Sequence, residues 1–422
     1  PAANQSLTRV NGGCTDTDNN ANDFTLATPN PRSAASALTP CGSTSTAQKS
    51  SIQFSSTQFD ASEGSGKATI TVLRTGDVSS GASVDYSTSD GTATERKDYT
   101  TAVGTLRFAA GETKKTFDVL LTDNGMVQPT ESVSLALGNA TGNATIVTPS
   151  ATKLMIGDND SSSPVNTIDT SSTFVDQHYK DFLNRVPDGS GLAFWTNNIE
   201  SCGADLQCRT VKRVDTSAAF FLSIEFQNTG FLIYRLYKAA LPATTSRPRG
   251  FPRYREFVRD SQDIGRNVIV GNAGYEQVLE ANKVDFISRF VTQPEFLANY
   301  PASMTAAQYV DKLNTQAGNP LTSAQRDALV NGLNNGQETA ATVLRKIAEN
   351  PTFTNAEMRR AFVLMQYFGY LRRNPDDAPD GNFGGYDFWL GKMNQFNGDY
   401  KAAEMVKAFI TSPEFRTRFG PQ

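Results

Sequence analysis

Few residues in this sequence could carry out chemistry, and their types argue against catalysis. His178 is the single histidine, which removes every zinc site or proton relay that needs two. It stands between Val175 and Phe182 at helical spacing and reads as partly buried packing, not as a base. The four cysteines fall into two local pairs, Cys14 with Cys41 and Cys202 with Cys208. An even count without CxxC spacing reads as disulfides made in an oxidising compartment, with four separate buried thiols as the alternative. Arg185 with Asp188, and Arg373 with Asp376, each lie near a tryptophan and could form an anion site or an acid–base pair. The simpler reading is a helix end and turn, in which Arg pairs with Asp and the Trp fills the core. No GxSxG, HExxH or nucleotide fingerprint occurs, and GSGKA at 64–68 lacks the upstream Gly and the Ser/Thr of a phosphate loop. The chain is expected not to be an enzyme.

The elements that hold these residues follow from length and charge. A chain of 422 residues implies roughly two to four domains. Its net charge of −4 offers no basic face, so nucleic acid is excluded as a partner. No window approaches about 18 apolar residues, so no membrane span is expected. The sequence opens at Pro1, as a mature or truncated N-terminus would, with no export signal in view. Residues 50–160 carry eight basic and thirteen acidic side chains, whereas the flanking segments are balanced. Ser/Thr-rich stretches around 37–51 and at 161–173 bracket that acidic segment as linkers.

Within 50–160, the runs KATITVLRT, ASVDYSTS, KTFDVLLTD and ESVSLALG alternate apolar and polar residues between Gly, Asp and Asn turns. This predicts an antiparallel β-sandwich. ASEGSG, STSDGTATERKDY, GTLRFAAGETKKTF, LLTDNGMVQPTESVSL and the closing IGDND resemble the Calx-beta module, an Ig-like sandwich, in the family's order and spacing. The resemblance implies calcium as cofactor, held at one end of the sandwich by Glu63, Asp90, Asp123, Asn124, Glu131, Asp158, Asn159 and Asp160. Asn124, Gln128 and Asn159 stand where strong binders tend to carry acids, which implies one weak site with a dissociation constant of about 10⁻⁴–10⁻³ M. The alternative is that these residues are simply good turn formers.

From Phe174 the spacing becomes helical, with Thr173 expected as N-cap. FVDQHYKDFLNRVPD at 174–188 aligns without a gap on FVLMQYFGYLRRNPD at 362–376, and each is followed by a Phe-Trp pair ending at Trp195 or Trp389. Arg185, Pro187, Asp188 and Trp195 thereby correspond to Arg373, Pro375, Asp376 and Trp389. FLSIEF, VTQPEF, AENPTF and ITSPEF close successive helical runs. Such recurrence predicts related all-α units, placed at 174–300 and 301–422. The pattern resembles the bacterial DUF4214 family, which implies a helical domain with no attached catalytic activity, found on secreted surface proteins.

Residues 1–49, with SLTRVNGGCTDTDNNANDFTLATPNPRSAAS, resemble the closing strands of the Ig-like lamin-tail domain, and too few large apolar residues are present to bury a core alone. Such an arm must find strands elsewhere, and a second copy is one source. The expectation for the whole is a multidomain, non-catalytic extracellular protein for cell-surface, adhesion or matrix roles. Self-association into a fibre or layer, other surface proteins and surface polysaccharide are its expected partners. The alternative is an accessory region of a secreted enzyme.

Overall fold

The computed structural model describes residues 4–10, 14, 17–30, 49–161 and 165–421. The chain divides into two units, residues 1–50 and 51–422. In the first, β1 (Ser6–Arg9) pairs antiparallel with β2 (Phe24–Ala27), so that Leu7 lies opposite Leu26. Both leucines are more than half exposed. A one-turn helix, Asn20–Asp23, leads into β2. The Asp23 carboxylate accepts Thr17 Oγ1 at 2.7 Å and Thr17 N at 2.9 Å, bonds that hold it below the usual carboxylate range. Cys14 is disulfide-bonded. Cys41, its expected partner, lies outside the described residues.

The second unit begins with the sandwich. Its strands are β3 (Ser50–Phe54), β4 (Gln58–Ser62), β5 (Lys67–Gly76), β6 (Ala82–Asp90), β7 (Val103–Phe108), β8 (Lys114–Leu120), β9 (Glu131–Thr141), β10 (Ala144–Ile146) and β11 (Ala151–Gly157). One sheet has the order β10-β3-β5-β8 and the other β4-β11-β9-β6-β7. Ile70 and Val72 of β5, Val84 of β6, Val133 of β9 and Leu154 of β11 are fully buried on the facing sides. The period-two pattern is the consequence of this two-layer burial. One pairing departs from the antiparallel expectation: β11 runs parallel to β4, with Ser62 opposite Gly157. Parallel neighbours finish at the same edge, so Glu63 and Asp158, the next residue of each strand, leave the sheet side by side.

The remaining chain is helical, from Ser171–Leu183 to Pro413–Arg416. The first helix starts at Ser171, with Thr170 before it, rather than after Thr173. The preceding turn Thr167–Asp169, with Ile168 buried, has already set the chain direction. One apolar cluster extends from Ile168 to Phe419, so the stretches 174–300 and 301–422 share a core. The two repeats meet in it, with the Phe182 and Tyr370 rings 5.3 Å apart. Trp195 and Trp389 are half-buried and pack on Phe220 and Phe409 at 6.0 and 5.8 Å. His178 is wholly buried; its ring nitrogens lie 2.6 Å from Phe174 O and 2.8 Å from Ser217 Oγ. Burial pushes the imidazole down to about 4, so it is neutral at ordinary pH, and both ring nitrogens are engaged inside the helical core.

Arg373 corrects the expected Arg–Asp pairing, whereas Arg185 keeps it as its longer ion pair. Arg185 reaches Asp188 at only 3.6 Å and makes its short contact with Glu225. Arg373 binds Glu414 and Asp380, while Asp376 takes Arg253 Nη1 at 2.8 Å. The turn between Asp376 and Trp389 is longer than that between Asp188 and Trp195, and the added residues bring Asp380 within reach of Arg373. Asp188 instead caps the next helix, accepting Gly191 N at 2.8 Å. Pro187 and Pro375 occupy the equivalent turns, and only Pro375 is fully buried.

Sandwich and helices are joined by buried charge. Asp181 accepts Arg372 Nη2 at 3.0 Å and Arg418 Nη2 at 3.1 Å, and all three side chains are at most 3% exposed. Arg372 Nη1 continues to Tyr99 O at 2.8 Å, and Lys180 Nζ reaches Leu121 O at 2.8 Å. Charges buried this deeply require partners, and these pairs fix how the sandwich and the helices dock, although Arg418 Nε is left without one.

Candidate metal centre

Glu63 opens a 3₁₀ turn directly after β4 and is 4% exposed. Its Oε2 accepts Asn124 Nδ2 at 2.7 Å, while Oε1 is buried without a hydrogen-bond partner. Across the parallel pair, Asp158 Oδ2 accepts Gln128 N at 2.8 Å and its Oδ1 accepts Asp160 N at 3.0 Å. The second bond folds the exit turn back so that Asp160 returns to the site. Gly64 lies under the Asn159 amide of this turn, where a Cβ would stand 2.7 Å from Nδ2 and would make that side chain shift. One carboxylate oxygen each from Glu63, Asp158 and Asp160 lies within 4.8 Å of the others.

The electrostatics describe a centre short of positive charge. Burial, reinforced by Asp158 and Asp160 and opposed by the Asn124 main-chain N–H, pushes the Glu63 carboxyl up to about 8. Burial and the charges of Asp158 and Asp123 raise Asp160, whose Oδ2 is also buried without a partner. Asp158 moves the other way, held low by the main-chain N–H groups of Gln128 and Asp160. Three hard oxygen donors, two of them bearing unspent buried lone pairs, fit Ca²⁺; bidentate carboxylates, main-chain oxygens and water would complete six to eight ligands. These residues would hold the ion, and the ion would supply the missing charge.

The other residues expected in the site take different places. Asp123 lies alongside, its Oδ1 accepting Asn159 Nδ2 at 3.3 Å. Asn124 spends its Oδ1 on Met126 N at 2.8 Å and gives its amide N–H to Glu63, so it positions the carboxylate instead of offering an oxygen. Asp90 stands apart, accepting Tyr99 Oη and Glu95 N, each at 2.8 Å. Glu131 is raised to about 7 by burial and then by Asp98, a residue the sequence reading passed over. Asp98 is 5% exposed with an unpartnered Oδ1, and its carbonyl accepts Thr122 N, one residue before Asp123. The signal for it was present in the KDY motif, where it is the only acid.

Residues 46–160 match the Calx-beta domain. Residues 162–230, directly after the Calx-beta region, match a domain of unknown function, DUF4214. The sodium/calcium exchanger Calx of Drosophila melanogaster is 30% identical over 109 residues, covering 26% of this chain and 12% of the exchanger. The apo form of the Calx CBD1 domain is 28% identical with a TM-score of 0.26, covering 26% of this chain and 99% of that one. The calcium-binding domain CBD12 of CALX1.1 is likewise 28% identical with a TM-score of 0.26, over 26% and 47% of the two chains. Calx-beta is a calcium-binding domain type, and the Calx-beta region here carries a three-carboxylate cluster. Among the described residues, no helix is long and apolar enough to cross a membrane.

Proposed function

We propose that this is a non-catalytic structural or adhesive protein acting outside the cell, whose Calx-beta region uses calcium to lock the helical region in place. The observation that carries the reading is the hydrogen bonding of the turn that borders the metal centre. Thr167 Oγ1 donates to Asp123 O at 2.9 Å, and Gly125 N donates to Phe419 O at 2.9 Å. Gly125 is required there, because a Cβ would stand 2.0 Å from Val165 O. Asp123 and Asn124 thus face the carboxylates, while the same turn holds Phe419 of the helical region. An ion that fixes the turn fixes the dock. The Cys202–Cys208 disulfide supports an oxidising location. The exposed Leu7–Leu26 pair on a two-stranded sheet supports self-association through the N-terminal hairpin.

Thermal melting with hydrogen exchange tests the calcium reading. Millimolar Ca²⁺ should raise the melting temperature and slow exchange at the Gly125 amide, and Asp158→Ala should abolish both effects. Identical curves with calcium and with chelator would refute it.

A further inference from the structure

Within the helical region a buried amine is pressed against a side-chain amide. Lys283 lies on the inner face of the helix Tyr275–Phe290, one turn from the buried Leu279 on one side and Ile287 on the other, and is 6% exposed. Its Nζ donates to Asn228 Oδ1 at 2.7 Å and lies 3.5 Å from Glu349 Oε1. The three residues come from separate elements: Asn228 ends the short helix Ile224–Asn228, and Glu349 follows the helix Ala340–Ala348 as its C-cap. Each partner is held from behind. Asn228 Nδ2 donates to Ile224 O at 2.8 Å, which turns the amide oxygen toward the lysine. Arg345 Nε donates to Glu349 Oε2 at 3.0 Å, which leaves Oε1 for Nζ.

A lysine serving only as counter-ion to Glu349 would take the carboxylate at the shorter distance, whereas here the amide has it. The amide carbon stands one carbonyl bond, ~1.2 Å, beyond the oxygen that Nζ already touches. Holding amine and carbon together in this way removes the cost of bringing them together from solution. An amine attacks only in its neutral form, which a desolvated site favours. Burial pushes the Lys283 ammonium down, against the pull of Glu349. The Glu349 side chain is 35% exposed, so it reaches both the buried amine and the solvent.

We propose that Lys283 and Asn228 join in an intramolecular isopeptide bond, with Glu349 carrying the protons. Glu349 Oε1 takes the ammonium proton, and the free Nζ attacks Asn228 Cγ. Glu349 delivers that proton to Nδ2, the Cγ–Nδ2 bond breaks and ammonia leaves. The carboxylate then takes the second proton from Nζ and releases it to solvent. One amide replaces another, so no oxidant, reductant or second substrate takes part. The bond would tie the end of the first helical closure to a helix 55 residues further on. The proposal goes beyond the calcium reading and does not rest on it. To test it, the full chain is reduced, weighed intact and digested with trypsin. Wild type should be lighter than its sequence by one ammonia, with a branched peptide joining the segment of Asn228 to that of Lys283. Lys283→Arg and Glu349→Gln should each have the full mass of their sequences and yield no branched peptide, and Glu349→Gln should keep the wild-type circular dichroism. A wild-type chain at its full sequence mass, an ammonia loss that maps elsewhere, or an undiminished branched peptide in Glu349→Gln would each overturn the proposal. The wild-type mass decides by itself, whatever the folding of the variants.

Discussion

Arg373 meets Glu414 through two parallel contacts, Nε to Oε1 at 2.6 Å and Nη2 to Oε2 at 3.0 Å, and Arg185 meets Glu225 in the same way at 2.7 and 2.9 Å. Each arginine also lies over the tyrosine six residues before it, Tyr367 or Tyr179. A third copy survives in the middle of the chain, where Arg247 contacts Glu295 and lies over Tyr237. Three of the four recurring helix closures therefore do more than end helices: Glu225, Glu295 and Glu414 tie their closing turns back to an earlier arginine, whereas AENPTF carries Thr352 at that place.

Because Glu225 is almost fully buried, removing it strands the Arg185 charge. Glu225→Ala should cost about 3 kcal/mol in urea unfolding at constant m-value, and the double change Arg185→Met with Glu225→Leu should recover most of the loss. A single-variant cost below about 0.5 kcal/mol would show that the clamp contributes little.

Calcium binding should expel a proton. Glu63 titrates near 8 without the ion, above its unfolded value, so at pH 7 it is largely protonated and must ionise to ligate. Its raised value also means that the metal-free fold loses stability as pH rises from about 4.5 through 8. Calorimetry at pH 7 in buffers of different ionisation enthalpy should show close to one proton released, falling toward none above about pH 9. A buffer-independent enthalpy at pH 7 would contradict this.

His178 gives the acid limb the opposite slope. Its folded value, about 4, lies below that of the unfolded chain, so the unfolded state takes up the proton first. Stability should be full above about pH 6.5 and fall by about 3 kcal/mol as pH drops to 4. His178→Gln should flatten that limb, and an equally steep limb in the variant would assign it elsewhere.

Deleting residues 1–49 tests the hairpin as an assembly surface. Any large assemblies on size-exclusion chromatography should become monomers, with the melting of the helical region nearly unchanged. A full-length chain that runs as a monomer at high concentration with calcium present would end the self-association reading.

The sandwich was legible because two-layer burial writes a period of two into β5, β6 and β9, and the first and last helical units because their core faces repeat Phe, Tyr and Leu at fixed offsets. Spacing cannot show which turns a fold brings together. Asp90 ends β6 and Asp98 lies in the connection to β7, yet only the folded arrangement decides that Asp98 stands by Glu131 while Asp90 is spent on Tyr99 and Glu95. The Arg185–Glu225 clamp was hidden for the same reason: forty residues separate partners that a helical hairpin makes adjacent, whereas Asp188 lay temptingly close in sequence.

The parallel alignment of β4 and β11 has a mechanical consequence. Tension that pulls the chain apart from its two ends draws the beginning of β4 and the end of β11 in opposite directions along their common axis. The five register pairs from Gln58–Lys153 to Ser62–Gly157 then bear the load together in shear, instead of opening one after another as in a peeled hairpin. The sandwich is thus wired to resist stretching in the direction in which a tethered chain would be pulled.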